Sequence, residues 1–302
     1  MDKLAKLVTD IGRLWENYSS AYFTGIQNTL ILAVAATLAG CLIGLVCGVL
    51  NTIPYTQNDH PVKRFFLKLL RVVIRIYVEV FRGTPMVLQA VFIFYGLPYF
   101  TDGAIAFKGM AGIWTAALLV VSINTGAYMA ESVRGGIISI DPGQTEGAKA
   151  IGMTHVQTMV NVIMPQALRN IIPQIGNNFI INVKDTSVMF VIGFVEFFAT
   201  HRNIVGVNLL YFPSAVIEMV GYLTLTLLAS FGLRWLERRL DGDDNYELVS
   251  EDSLAMSAGT YSHPNRSPFE EQSRELNKKV LDEEMRERVR QELKYGTPKG
   301  DR

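Results

Sequence analysis

The sequence predicts an all-α integral membrane protein with about five transmembrane helices. Three observations lead there. Apolar runs reach or approach twenty residues, they are confined to the first 240 of 302 positions, and basic residues collect on alternate connecting segments. The formal net charge is zero, but 18 Lys and Arg stand against 13 Asp and Glu before residue 241, and 10 against 15 after it. Neutrality therefore conceals a basic membrane part and an acidic tail. The division predicted is an amphipathic N-terminal segment (1–20), a membrane domain (21–240) and a soluble charged tail (241–302).

A hydrocarbon core about 30 Å thick takes about 20 helical residues. Residues 1–20 carry Lys3, Lys6 and Arg13 without a compact apolar centre or a small-residue cleavage pattern, which predicts an interfacial helix rather than a signal peptide. The first span is placed at 25–50; Cys41 and Cys47 lie on different faces of it, as packing residues. A short second span at 85–100 borrows length from the preceding helix. The third, fourth and fifth are placed at 109–131, about 171–198 and 214–235. The four histidines, at 60, 155, 201 and 263, lack metal-ligand spacing, and no metal site is predicted.

Basic residues set the orientation. Lys63, Arg64, Lys68, Arg71 and Arg75 in the 51–80 connection, then Arg134, Lys149 and Arg169, then Arg234, Arg238 and Arg239 all fall on one side. The positive-inside rule makes that side cytoplasmic and puts the N-terminus outside.

One cytoplasmic segment, 141–165, is amphipathic rather than apolar. Asp141 and Pro142 read as a helix start, and Gly152 as its stop. Thr154 and Gln157 form a capping box for a second short helix, along which Val156, Met159, Val160 and Ile163 make one stripe. Pro165 then restarts the chain into the fourth span. The stripe packs on its own bundle or meets something outside it, and periodicity leaves both open. GQTEGAK is not a phosphate loop, because Ala148 separates Gly147 from Lys149 and no strand precedes it.

Glu146-Gly147-Ala148, Gly152, Val162, Met164 and Pro165 resemble, in type and spacing, the coupling motif of ABC importer permeases. AESVRGGIISIDPGQ, FRGTPMVLQ and VKDTSVMFVIG resemble the polar amino acid branch of that family, and the resemblance covers about residues 20–240. It implies a type I ABC importer permease fold with a cytoplasmic coupling helix pair, in a multi-pass protein of a bacterial cell membrane. The implied function is translocation of polar amino acids by alternating access, without covalent chemistry and without a cofactor held by this chain. The implied partners are two ABC ATPase subunits that use the ATP, a second permease copy or a homologous permease, and an extracellular or periplasmic substrate-binding protein. Glu146, Gly147, Ala148, Gly152, Met159 and Pro165 would serve ATPase coupling. Gly147 departs from the family's alanine, at about 1 kcal/mol of local helix stability.

Two polar lines run inside the spans. Gln174, Asn178, Asn182 and Asp185 share one sector of the fourth span; Asn124, Tyr128 and Glu131 share one of the third. Amides here serve interhelical hydrogen bonding or a substrate pathway. For Asp185 a pathway role is the stronger reading, because a charge at mid-helix costs about 2.5 to 3.5 kcal/mol on insertion scales. Lys184 points roughly 100° away from that sector. The plainer reading of Glu131 is an ion pair with Arg134. Two other functions compete: an ion-coupled secondary transporter using Asp185, against which five spans without an internal repeat argue, and a membrane anchor acting through its tail. In that tail, acid-first i, i+4 pairs such as Glu275 with Lys279 predict a solvated helix after a linker over 241–268.

Overall fold

The computed structural model describes residues 2–55 and 60–241, all helix or connection, with no strand among them. The tail helix and linker expected beyond residue 241 lie outside the described residues. The helices are α1 (Asp2–Thr52), α2 (Pro61–Gly83), α3 (Met86–Phe100), α4 (Gly109–Ile138), α5 (Pro142–Ala150), α6 (His155–Ile192), α7 (Phe197–Asn208) and α8 (Tyr211–Asp241). By length and composition, three of the described helices can cross a membrane, or five when two bent pairs each count as one span. The pairs are α2 with α3, bent by 112°, and α6 with α7, bent by 51°.

α1 is one unbroken helix of 51 residues, with no boundary at residue 20. At 1.5 Å per residue it is about 75 Å long, more than twice a bilayer core. Its first part packs against α7, where Leu14 and Tyr22 are buried with Phe197 and Ile204. Further along, Gly40, Gly44 and Gly48 form a four-residue ladder against α4. A Cβ at Gly40 would fall 2.6 Å from the Thr125 Cβ, one at Gly48 would fall 2.5 Å from Val133 Cγ1, and one at Gly44 would overlap Met129. Small residues let two membrane helices approach closely, and only the absence of side chains permits this contact.

Residues 61–83, expected to lie in a cytoplasmic connection, are helix α2. It starts behind Pro61, with the His60 side chain accepting from the Val62 N–H, and ends where Pro85 offers no N–H. Val62, Phe65, Phe66, Leu69, Val73, Ile76 and Val80 leave one of its apolar faces exposed, while Ile74 is buried against the bundle.

Pro165 does not restart the chain. α6 runs through it, with a π turn at Met159–Ile163 just before the proline. A second π turn, Phe92–Gly96, precedes Pro98 in α3. A widened turn accommodates a ring that would clash with the preceding turn and supplies no donor. The π turn also rotates the helix face. Val156 and Val160 are exposed, Ile163 is buried and Met159 packs beside it, so the expected single stripe is split.

Candidate translocation chamber and coupling element

α4, α6 and the turn between α2 and α3 enclose a cavity of about 300 Å³. Asn124, Thr125 and Tyr128 line it from α4; Asn178, Ile181, Asn182 and Asp185 from α6; Thr84, Pro85 and Met86 from the turn. The periodicity explains the convergence, since residues four apart stack on one helix face and α4 and α6 present those faces to each other. At Thr186 the helix tightens to 3-10 geometry, which ends the polar line at Asp185.

The lining residues differ in how fully they are engaged. Asn182 is buried, and its Nδ2 donates to Thr37 Oγ1 of α1 at 2.8 Å and to Thr125 Oγ1 at 3.0 Å. It knots three helices while facing the cavity. The Asn124 Nδ2 donates to the Phe81 carbonyl and to Gln89 Oε1, each at 3.0 Å. Asn178 donates back to the Gln174 carbonyl at 2.9 Å and touches the Met129 sulfur at 3.4 Å. The half-buried Asp185 carboxylate and the exposed Tyr128 hydroxyl have no hydrogen-bond partner among the described residues.

Two residues of the predicted lines fall outside the cavity. Gln174 is exposed one turn away, on the coupling side. Glu131 pairs with Arg82 at the end of α2, not with Arg134, because the last turns of α2 pack against α4, where the Tyr77 hydroxyl donates to the Ile123 carbonyl. The Arg82 guanidinium also lies over the Tyr128 ring, 5.2 Å from its centre. Lys184 is exposed, away from the cavity.

The candidate coupling element, residues 141–165, is two helical pieces joined by a glycine. The Asp141 side chain accepts from the Gly143 N–H at 2.6 Å and starts α5. At the other end the Gly152 N–H reaches the Lys149 carbonyl at 3.0 Å and the Met153 N–H the Ala148 carbonyl at 3.1 Å, with Gly152 at φ +84°. This double bond is a Schellman stop, and its left-handed residue favours glycine. The Thr154–Gln157 capping box is formed in both directions. Ala148 is buried under the element; Glu146, Gly147, Ile151, Gly152, Val156, Val160 and Pro165 face outward. The outer surface thus mixes a carboxylate with apolar side chains, Ile151 being 80% exposed.

Residues 40–242 match the family described as the inner membrane component of binding-protein-dependent transport systems. The chain belongs to this family. The glutamine transport system permease protein GlnP of Escherichia coli (strain K12) is 36% identical over 217 residues, covering 72% of this chain and 91% of that protein. The probable amino-acid permease protein YxeN of Bacillus subtilis (strain 168) is 34% identical over 229 residues, covering 75% and 95%. A crystal structure of an amino acid ABC transporter with histidines aligns with TM-score 0.63 at 34% identity, covering 74% of this chain and 95% of that one. The fold is that of a type I ABC importer permease, and the chain is a membrane permease component.

A second polar cluster, at α1, α7 and α8, was not legible in the sequence. Glu196, fully buried, caps α7 by accepting from the Phe198 and Ala199 N–H groups at 2.8 and 2.7 Å, and its Oε2 also accepts from the Tyr222 hydroxyl at 2.8 Å. Ser214 Oγ lies 2.9 Å from the Tyr22 hydroxyl and 2.8 Å from His201 Nδ1, which is 3.6 Å from Glu218 Oε2. Glu196 and Glu218, intramembrane carboxylates in a segment of apolar neighbours, were the available signal.

Proposed function

We propose that the chamber is the route by which a polar amino acid crosses the membrane, with this chain as the permease subunit of an ATP-driven importer. The observation that carries the route is Asp185, a half-buried carboxylate without a hydrogen-bond partner among the described residues, beside a row of amides. A carboxylate in that setting attracts the ammonium that every amino acid presents, and the acceptor oxygens of Asn124 and Asn178 orient it.

The outward face of the coupling element receives an ABC ATPase subunit on the cytoplasmic side, two copies serving a pair of permeases. ATP is bound and hydrolysed there, and this chain carries the resulting movement into α6, to which the element is directly joined. A substrate-binding protein delivers the amino acid at the opposite face. The run of basic residues from Lys63 to Arg75, with Arg134, Lys149, Arg169, Arg234, Arg238 and Arg239, supports an outside N-terminus and an inside C-terminus. An ion-coupled transporter working alone is not favoured, since the family's systems are binding-protein dependent.

The test uses proteoliposomes holding permease, ATPase and binding protein, with glutamine assayed first because GlnP carries that name. Asp185→Asn keeps the shape and removes the charge. Loss of a charge-assisted hydrogen bond lowers apparent affinity at the membrane site roughly tenfold, while binding to the isolated binding protein is unchanged. Wild-type uptake by a stable Asp185→Asn complex would remove the chamber from the route.

A further inference from the structure

The chamber has one wall that is not helix, the turn at Thr84–Pro85–Met86 where α2 and α3 meet at 112°. Such a break leaves the last carbonyls of α2 without the N–H groups that a continuing helix would bring, and Pro85 contributes none. In a membrane span these acceptors need a partner from the protein.

Gln89, one turn into α3 and only 6% exposed, is that partner. Its Nε2 lies 2.9 Å from the Phe81 carbonyl, 2.9 Å from the Thr84 carbonyl and 3.0 Å from Thr84 Oγ1. Its Oε1 accepts from Asn124 Nδ2 at 3.0 Å, and the same Nδ2 donates to the Phe81 carbonyl. One amide therefore folds the turn back on itself and fixes it against α4. Both functions are needed together: a glutamate of the same length has no donors, and an asparagine is one methylene short. The Arg82–Glu131 pair also crosses from the turn to α4, but its side chains are 39% and 53% exposed, and pairs so exposed to solvent constrain little.

We propose that Gln89 is a positioning residue of the translocation chamber. It touches no substrate; it sets where Thr84, Pro85 and Met86 stand relative to Asn124 and Tyr128, and so the width of the route. The proposal rests on the chamber reading above, yet its geometry is tested without substrate.

Single cysteines at Met86 on the turn and Ile181 on the opposite wall, with Cys41 and Cys47 changed to alanine, report on the two walls separately. The complex with its ATPase is labelled in membranes with a water-soluble methanethiosulfonate. Gln89→Met and Gln89→Glu should each change the labelling rate at position 86 by about fivefold or more, the shift that loss of about one net hydrogen bond gives, and leave position 181 within about twofold. Equal changes at both positions, or none at 86, would overturn the proposal, as would failure of both variants and of Gln89→Asn to assemble, which would assign Gln89 to folding alone. No labelling of either cysteine in the parent would mean that water does not enter the cavity, and both readings would fall. If Asp185→Asn transports normally while the labelling contrast holds, Gln89 still positions the turn and the route lies elsewhere.

Discussion

The chamber and the α1–α7–α8 cluster are both polar, both built inside membrane helices, and both hold carboxylates, but Asp185 in the one and Glu196 in the other are treated in opposite ways. In the cluster, Glu196 accepts three hydrogen bonds, Tyr22 and His201 each bond Ser214, and Glu218 lies 3.6 Å from His201 Nδ1. In the chamber, Asp185 accepts none from the described residues; Asn182 is engaged through both ends of its amide, while Asn124 and Asn178 hold their neighbours with Nδ2 and their oxygens accept no hydrogen bond from the described residues. Polarity within a span does not by itself mark a pathway. What distinguishes the two regions is whether the hydrogen-bonding capacity is consumed inside the protein, because a satisfied buried group stabilises one packing and an unsatisfied one is available to a ligand.

That contrast predicts which region fails by unfolding and which by losing transport. The largest effect is expected at Glu196→Ala, which removes the α7 cap from a fully buried site and leaves the part-buried Tyr222 hydroxyl without its acceptor. Breaking a buried charged network costs about 3 to 5 kcal/mol, so the purified complex should melt far earlier and its membrane abundance should fall. Normal melting of this variant would end the distinction. Asp185→Asn should do the reverse, with transport affinity down roughly tenfold and thermal stability within about 0.5 kcal/mol of the parent.

The remaining changes are smaller. Gly152→Ala places a side chain at φ +84°, where an L-residue costs about 1 to 2 kcal/mol, so the coupling element should loosen while the bundle stays inserted. ATP hydrolysis stimulated by the binding protein should drop; full stimulation would show that the Schellman stop is not needed for coupling. Glu131→Gln is expected to be the mildest, below about 1 kcal/mol in stability, since a pair this exposed contributes little. A stability loss as large as that of Glu196→Ala would show that the Arg82 pair belongs with the buried cluster and not with the chamber.

The spans, the coupling element and the polar line ending at Asp185 could be read from the chain because each is local. Apolar runs long enough for a bilayer, Asp141, Gly152 and the Thr154–Gln157 box act within one or two helical turns, and i, i+4 spacing fixes which residues share a face. The spacing of Gly40, Gly44 and Gly48 is local too, but the helix that makes it a contact is not, and the ladder was recognised only in the packed structure. Tertiary structure decided whatever depends on a second element: that Arg82 rather than Arg134 pairs with Glu131, that Gln174 misses the cavity, and that Val156 and Val160 turn away from Ile163 after a π turn. It also decided that Tyr22 and Ser214, 192 positions apart, share a hydrogen bond. Periodicity specifies a direction around one helix axis, whereas a partner on another helix depends on how two axes are packed, which no spacing along the chain encodes.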